Sequence, residues 1–388
     1  MDRAALKALG LLAAALVLSM TTWFSATAVV PQLRDEWDLS NTATAWLTIA
    51  VQLGFVAGAI TSSALTLPDV VSTRALMLAA CAGAAAVNLL LVAADGPELA
   101  IPLRVATGFF LAGVYPPAAK LISTWYRARR GTALGVAVGA VTLGSAAPHL
   151  VNALGGLDWQ VVIVATSLLT VLGGFIALAV GEGPYSFPRA RFDRRQIGLV
   201  FRNRGVRLAA LGYFGHMWEL YAMWAWFLVF FRATVEGGSG AAYAAFAVIG
   251  VGAIGCLAGG LLGDRIGRAE SAALMMACSG FLALAIGFLV DAPGWLVLAV
   301  GLAWGFTVVA DSAQFSTLVT EHADQAYVGT ALGLQMAVGF ALTVVTIWLL
   351  PFLEDEVGWR WAFAFLAPGP ALGIVAMLRL RRMAPGVP

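Results

Sequence analysis

Blocks of roughly twenty or more apolar residues, separated by short charged or Pro/Gly-containing stretches, recur along the whole chain, and no other feature of the sequence restricts its fold as much. About 20 apolar residues in a helix cross a hydrocarbon core about 30 Å thick. Inside a bilayer the backbone must satisfy its own hydrogen bonds, and a helix does this within one segment. Block by block, spans are expected near 6–30, 42–67, 74–94, 99–125, 131–154 and 160–180, then near 206–231, 240–262, 270–290, 295–319, 328–350 and 361–379. With 61% of residues apolar and only 11% charged, an ordinary soluble globule is excluded. The apolar run after Lys7 continues to about Val30, beyond the core of a secretory signal, and is read as the first span.

Twelve spans place both termini on one side, and the distribution of basic residues says which. With the termini cytoplasmic, 19 of the 23 basic residues fall on inside segments, among them Arg74, Lys120, Arg127, Arg129, Arg130 and seven arginines from Arg189 to Arg207. The outside loops hold Arg34, Arg232 and Arg360 beside the acidic clusters Asp35, Glu36, Asp38 and Glu354, Asp355, Glu356. The polar, arginine-rich stretch after Gly181 reads as a cytoplasmic linker, so the expected organisation is a six-helix half at 1–180, a linker at 181–205 and a second half at 206–388. The linker serves as a positive-inside anchor or as a lipid-binding or regulatory segment. Because the arginines sit at block ends rather than along a stripe, nucleic acid is not an expected partner. Cys81, Cys256 and Cys278 lie inside apolar blocks without CxxC spacing and read as packing residues, so no metal site or cofactor is expected.

The halves repeat one another. Gly131-Thr-Ala-Leu-Gly135 recurs as Gly329-Thr-Ala-Leu-Gly333, and Asp158-Trp159-Gln160 is echoed by Gly358-Trp359-Arg360, at offsets of 198 and 200 residues. Thr107-Gly108-Phe109 matches Trp304-Gly305-Phe306, and Trp23 matches Trp218, at offsets of 197 and 195. Four matches in order at a nearly constant offset identify an internal duplication. Parallel six-helix repeats suit an alternating-access carrier.

Between spans eight and nine, Gly260-Leu-Leu-Gly263-Asp264-Arg265-Ile-Gly267-Arg268 resembles the loop motif of the major facilitator superfamily. The resemblance implies that family's fold: an all-α membrane protein of twelve transmembrane helices in two pseudo-symmetric bundles, with a gating role for the motif. Glycines allow the tight turn, and Asp264, Arg265 and Arg268 can pair with helix ends or surface charges. The counterpart after span two keeps Asp69 and Arg74 but lacks the glycines and the Asp-Arg pair, and is read as degenerate. Arg104, followed by Gly108, is similar to the family's span-four arginine motif. Gly113-Val-Tyr-Pro-Pro-Ala-Ala-Lys120 and Trp125-Tyr-Arg-Ala-Arg-Arg-Gly131 are similar to the cyanate and nitrate/nitrite transporter-like branch. The arginines that nitrate carriers place in spans two and eight are absent here, which disfavours nitrate itself.

Ionisable groups within spans are costly and therefore functional candidates. They are Arg104, His149, His216, Glu219 and Asp311. His216 and Glu219, three residues apart in span seven, lie on neighbouring positions of one helix face and can share a proton, which suits reversible proton binding during transport; the alternative is a structural pair. Asp311, with Gln314 in the same polar stripe of span ten, is a second proton or cation candidate. Tyr213, Trp218, Tyr221 and Trp224, with Trp23 in the matching place of the first half and Tyr115 in span four, can line a cavity for an organic solute or pack against neighbours. Arg104 can hold a substrate anion or brace the bundle. In span five, Pro148 permits a bend and His149 can bond a freed carbonyl.

The expected function is secondary active transport of a small organic or anionic solute, coupled to protons, by a monomer in the cell membrane, of the bacterial inner-membrane kind. The alternatives are an uncoupled facilitator, an exporter of drugs or metabolites, or a membrane solute sensor. The expected partners are the small-molecule substrate, protons and the lipid bilayer. No GxxxxGK[ST] phosphate loop, HExxH or GxSxG occurs, so an enzyme or ATP-driven pump is not expected.

Overall fold

The computed structural model describes residues 3–23, 25–154, 158–188, 198, 200–235 and 240–383, and every regular element among them is helical. Ten helical stretches among these residues are long and apolar enough to cross a membrane, each within one of the expected blocks or overlapping it. The remaining two blocks, near 131–154 and 206–231, fold as single helices of 25 and 31 residues. In the longer one, His216, Trp218, Glu219, Tyr213 and Tyr221 dilute the apolar run.

Two compact units form. One comprises Met1–Arg127, Leu143–Gly198 and Asp324–Ala341; the other comprises Ala128–Thr142, Leu199–Ala323 and Leu342–Pro388. The first contains α1 (Arg3–Met20), α2 (Ser25–Ala28), α3 (Val30–Trp37), α4 (Asn41–Ala64), α5 (Leu67–Val70), α6 (Thr73–Leu89), α7 (Pro97–Leu111) and α8 (Tyr115–Trp125). It also takes the later part of α9 (Arg130–Leu154) and all of α10 (Trp159–Leu178). The second contains α11 (Arg204–Thr234), α12 (Ala241–Gly250), α13 (Gly252–Ile266), α14 (Arg268–Ile286), α15 (Gly294–Ala310) and α16 (Ser312–His322). The long helix α17 (Val328–Val357) begins in the first unit and continues in the second, followed by α18 (Trp359–Ala362) and α19 (Pro368–Arg381).

Several expected spans are interrupted, each for a local reason. Span four stops at Leu111 and restarts at Tyr115, because Pro116 and Pro117 have no N–H for the carbonyls of Ala112 and Gly113. Shorter turns bridge the gap, with Gly113 N 2.9 Å from Phe110 O and Val114 N 3.0 Å from Leu111 O. Span ten breaks at Asp311, between α15 and α16, and span one breaks after Met20. Of the expected linker, residues 189–197 and 199 lie outside the described residues. The stretch before them runs along the end of α8, where Gly183 N donates to Thr124 Oγ1 at 2.8 Å and Tyr185 N to Thr124 O at 2.9 Å. Helix α11 then starts at an Asn203 cap whose Oδ1 accepts from Gly205 N at 2.8 Å and Val206 N at 3.2 Å.

The duplication reappears as a packing rule within each unit. Gly54 and Gly58 of α4 lie against the backbone of Val105 and Phe109 of α7, and Gly108 returns the contact against Val51. In the second unit Gly255 and Gly259 of α13 lie against Phe306 and Ala310 at α15, and Gly305 lies against Val248. A Cβ at any of these places would overlap a carbonyl oxygen, so the glycines set how closely the helices approach.

Candidate functional site

The polar groups of α11 divide between two directions. Glu219 is 1% exposed, and its carboxylate accepts from Trp304 Nε1 of α15 at 2.6 Å and from Ser279 Oγ of α14 at 2.8 Å. His216, equally buried, turns instead to Asp311, with Nδ1 2.8 Å from Oδ1. The two residues expected to share a proton thus have separate partners. Each side chain stands one helical turn from the other, and the bundle supplies each with its own nest.

Asp311 reaches His216 because α15 ends there and α16 starts afresh, so the residue occupies the joint of a broken helix. Gln314 N bonds the Asp311 carbonyl at 2.9 Å across this joint. The His216 ring lies 5.9 Å from Tyr213 and 5.6 Å from Phe315, so the imidazole and carboxylate sit in an aromatic surround. His216 Nε2 has no hydrogen-bond partner among the described residues. Neither Glu219 nor Asp311 pairs with a lysine or arginine there.

The other aromatic candidates do not form one cluster. Trp218 turns to Phe365, 5.1 Å between ring centroids, and donates to its carbonyl at 3.2 Å. The rings of Tyr221 and Trp224 meet at a tilt with centroids 5.2 Å apart, and the buried Trp224 Nε1 is without a partner among the described residues. In the first unit, Trp23 packs at 5.3 Å from both Phe55 and Phe340, which are 4.4 Å apart. Tyr115 opens α8, half-buried. Gln314 points to α13, where its Nε2 bonds Gly259 O at 2.9 Å.

Arg104 is fully buried and explains the break in span one. Its Nη1 donates to Thr22 O at 2.9 Å and to Ser25 Oγ and Asn88 Oδ1 at 3.3 Å, its Nε to Leu47 O at 3.4 Å, and its Nη2 to Trp23 O. The carbonyls set free between α1 and α2 find their donors in this guanidinium. No carboxylate pairs with Arg104 among the described residues. His149 lies in α9, partly buried.

The loop motif explains the repeated Gly-Thr pair. Asp264 Oδ1 accepts from Gly131 N at 3.2 Å, and Oδ2 accepts from Thr132 N at 2.8 Å and Thr132 Oγ1 at 2.5 Å, so the carboxylate sits on the N-terminus of α9. Free N–H groups and the helix dipole both favour an anion there. Arg268 holds the acid from the other side at 2.9 Å and bonds Glu321 at 2.8 Å. Gly267 has φ 106°, a left-handed turn suited to glycine, and Gly260 and Gly263 admit the Gly131 backbone and the Gln314 side chain. Arg265 is exposed.

The copy read as degenerate makes the same arrangement. Asp69 Oδ1 accepts from Gly329 N at 3.0 Å, and Oδ2 accepts from Thr330 N and Thr330 Oγ1, both at 2.7 Å, on the N-terminus of α17. Lys120 takes the cation's place, its Nζ 2.5 Å from Asp69 Oδ1 and 2.8 Å from Pro68 O. Phe187 covers the ammonium at 6.0 Å, and a cavity of about 590 Å³ adjoins the pair. Reasoning from the motif's glycines missed this site. The available signal was the acid itself, since Asp69 and Asp264 are separated by almost the same offset as the two Gly-Thr pairs.

Solved structures of three transporters share this architecture. The fold is similar to that of the human organic anion transporter MFSD10 (TETRAN), with a TM-score of 0.79 and 13% identity over 97% of this chain and 100% of that one. The proton:xylose symporter XylE gives 0.76 and 13% over 98% and 96%, and FucP, a transporter in the outward conformation, gives 0.72 and 15% over 97% and 99%. No curated protein matches the sequence closely enough to count as a relative. Residues 11–346 match the Major Facilitator Superfamily, and the chain, a multi-pass membrane protein and not an enzyme by this kinship, belongs to that family of transporters.

Proposed function

We propose that the protein is a proton-coupled secondary transporter that moves a small organic or anionic solute by alternating access. Its carrying observation is the pair of buried carboxylates in one unit, Glu219 with Trp304 and Ser279 and Asp311 with His216, neither neutralised by a lysine or arginine among the described residues. A carboxylate shut away from water and lacking a fixed cation is best accommodated by taking up a proton and releasing it when the site opens. That a protein of this fold is a proton:xylose symporter makes such coupling compatible with the architecture.

The same reading includes twelve spans, with α9 and α11 as the fifth and seventh, both termini cytoplasmic, and halves at 1–180 and 206–388 joined by the linker at 181–205. It places the protein as a monomer in a bacterial inner membrane, nearest in flavour to the cyanate and nitrate/nitrite transporter-like branch. Tyr213, Trp224 and the free His216 Nε2 are its solute-contacting groups. Arg104, given its carbonyl cage, is a brace rather than an anion holder.

The test begins with thermal-shift screening of purified protein against anions, carboxylates, amines and drug-like cations, because a ligand of the folded state stabilises it by mass action. Uptake of the binder into proteoliposomes is then measured with and without an imposed pH gradient. Accumulation that follows the gradient is expected. Uptake indifferent to it would leave an uncoupled facilitator, and binding without uptake a sensor.

A further inference from the structure

One of the two donors on Glu219 has an alternative acceptor. Ser279 Oγ lies 2.8 Å from Glu219 Oε2 and 3.3 Å from Met276 O in the preceding turn of its own helix. Trp304 Nε1 occupies Oε1 at 2.6 Å. A hydroxyl carries one hydrogen and two lone pairs, and serine in a helix readily bonds the carbonyl three residues back. When Glu219 is ionised, the Ser279 hydrogen points to Oε2. When Glu219 is protonated on Oε2, that proton is donated to Ser279 Oγ, and the Ser279 hydrogen rotates to Met276 O. Trp304 stays on Oε1 throughout. Each polar atom of the nest therefore has a partner in both states, and neither requires a helix to move.

We propose that Ser279 is a two-position hydroxyl switch that lets Glu219 exist as carboxylate and as carboxylic acid in the same buried nest. Ser279 is a positioning residue, and the inference rests on the proton-coupling reading of Glu219. The hydroxyl hydrogen turns about the Cβ–Oγ bond while the oxygen stays in place, so the switch is the rotation of one hydrogen rather than a rearrangement of the bundle.

The surroundings contain few competing groups. On α11 itself His216 turns to Asp311, which is the charged neighbour from the joint before α16. From α13 comes the buried Cys256, from α12 the exposed Tyr243, and from α14 the partly buried Cys278. The ionic residues of α14 and α19 lie at the helix ends, with Glu270 in the first turn of α14 and paired to Arg381 at 3.0 Å, Arg268 in the loop motif, and Arg379 in the last turn of α19. Helix α15 brings Trp304 and no titratable side chain, and α17 carries its acids Glu354, Asp355 and Glu356 at its C-terminal end.

Infrared difference spectroscopy of the full chain in proteoliposomes, titrated with pH alone, tests the switch. The wild-type protein is expected to show a carboxylic C=O band that vanishes in Glu219→Gln. Ser279→Ala moves that band and displaces its titration midpoint by about one pH unit or more, and Ser279→Thr, which keeps the hydroxyl, restores both. Should Ser279→Ala not fold, Ser279→Cys, close in volume and a weak donor, moves the band by a smaller amount. A Glu219 band unmoved in these variants overturns the switch alone. Absence of any Glu219-dependent band overturns the proton-coupling reading, and the switch with it.

Discussion

Trp304 gives its indole N–H to Glu219 Oε1 at 2.6 Å, and both residues are closed off from the surface. A hydrogen bond to a charged acceptor contributes about 1.5–3 kcal/mol. Trp304→Phe, which keeps an aromatic ring but neither the donor nor the full indole volume, is expected to lower stability by at least that amount, read as a fall in the thermal unfolding midpoint of the purified protein. An unchanged midpoint would mean that the bond contributes nothing net.

Glu219→Gln keeps the shape of the nest and removes the exchangeable proton. Gradient-driven uptake is expected to disappear while exchange between equal solute pools continues. Full driven uptake in this variant would exclude Glu219 as the coupling site.

Asp69 and Lys120 form a buried pair, 3% and 7% exposed. Asp69→Asn leaves the ammonium without its counter-ion and weakens the cap on Gly329 and Thr330. Breaking such a pair from one side costs about 3–5 kcal/mol, whereas replacing both partners costs less. The double variant Asp69→Asn with Lys120→Met is therefore expected to unfold at a higher temperature than Asp69→Asn alone. The reverse order would show that Lys120 serves some other partner.

Arg104→Lys retains charge but offers three donors from one point, and these cannot span Thr22, Trp23, Ser25, Leu47 and Asn88. A loss of about 2–3 kcal/mol is expected, as for leaving buried acceptors unmet. Equal thermal stability of the two proteins would refute the bracing role.

Gly259→Ala puts a methyl group against the Ala310 carbonyl, whereas Gly10→Ala enters open space in α1. The first change is expected to destabilise by about 1–3 kcal/mol as an overpacked contact. The second is expected to stabilise by about 0.4–1 kcal/mol through the unfolded chain. Thermal unfolding of the two variants side by side checks both signs.

Much of this architecture was legible in the apolar blocks, because a helix that must satisfy its own backbone announces itself by length and composition. The duplication was legible too: Gly108 and Gly305, matched in sequence, make matching contacts on Val51 and Val248. The breaks were harder to see. Pro116 and Pro117 gave a local signal for span four, but the break after Met20 depends on Arg104, a residue of another helix, and no local pattern encodes it. The same limit applied at the candidate site. Position inside an apolar block singled out His216, Glu219 and the joint residue Asp311, and all three are buried, yet spacing within one helix cannot say which neighbour each will meet. Trp304 was visible only as part of a repeat, and Ser279 not at all, since a serine inside an apolar block reads as packing until its partner is known.

The carboxylates of Asp69 and Asp264 close helices that begin 260 and 133 residues away from them in sequence number, counted to Gly329 and from Gly131. A helix end whose partner is borrowed in this way is a conditional structure. Whenever the acid withdraws, the amides of Gly329 and Thr330, or of Gly131 and Thr132, face water and their hydrogens become free to exchange for deuterium. The first turns of α9 and α17 are thus built-in clocks for undocking, readable by mass spectrometry before any solute has been identified.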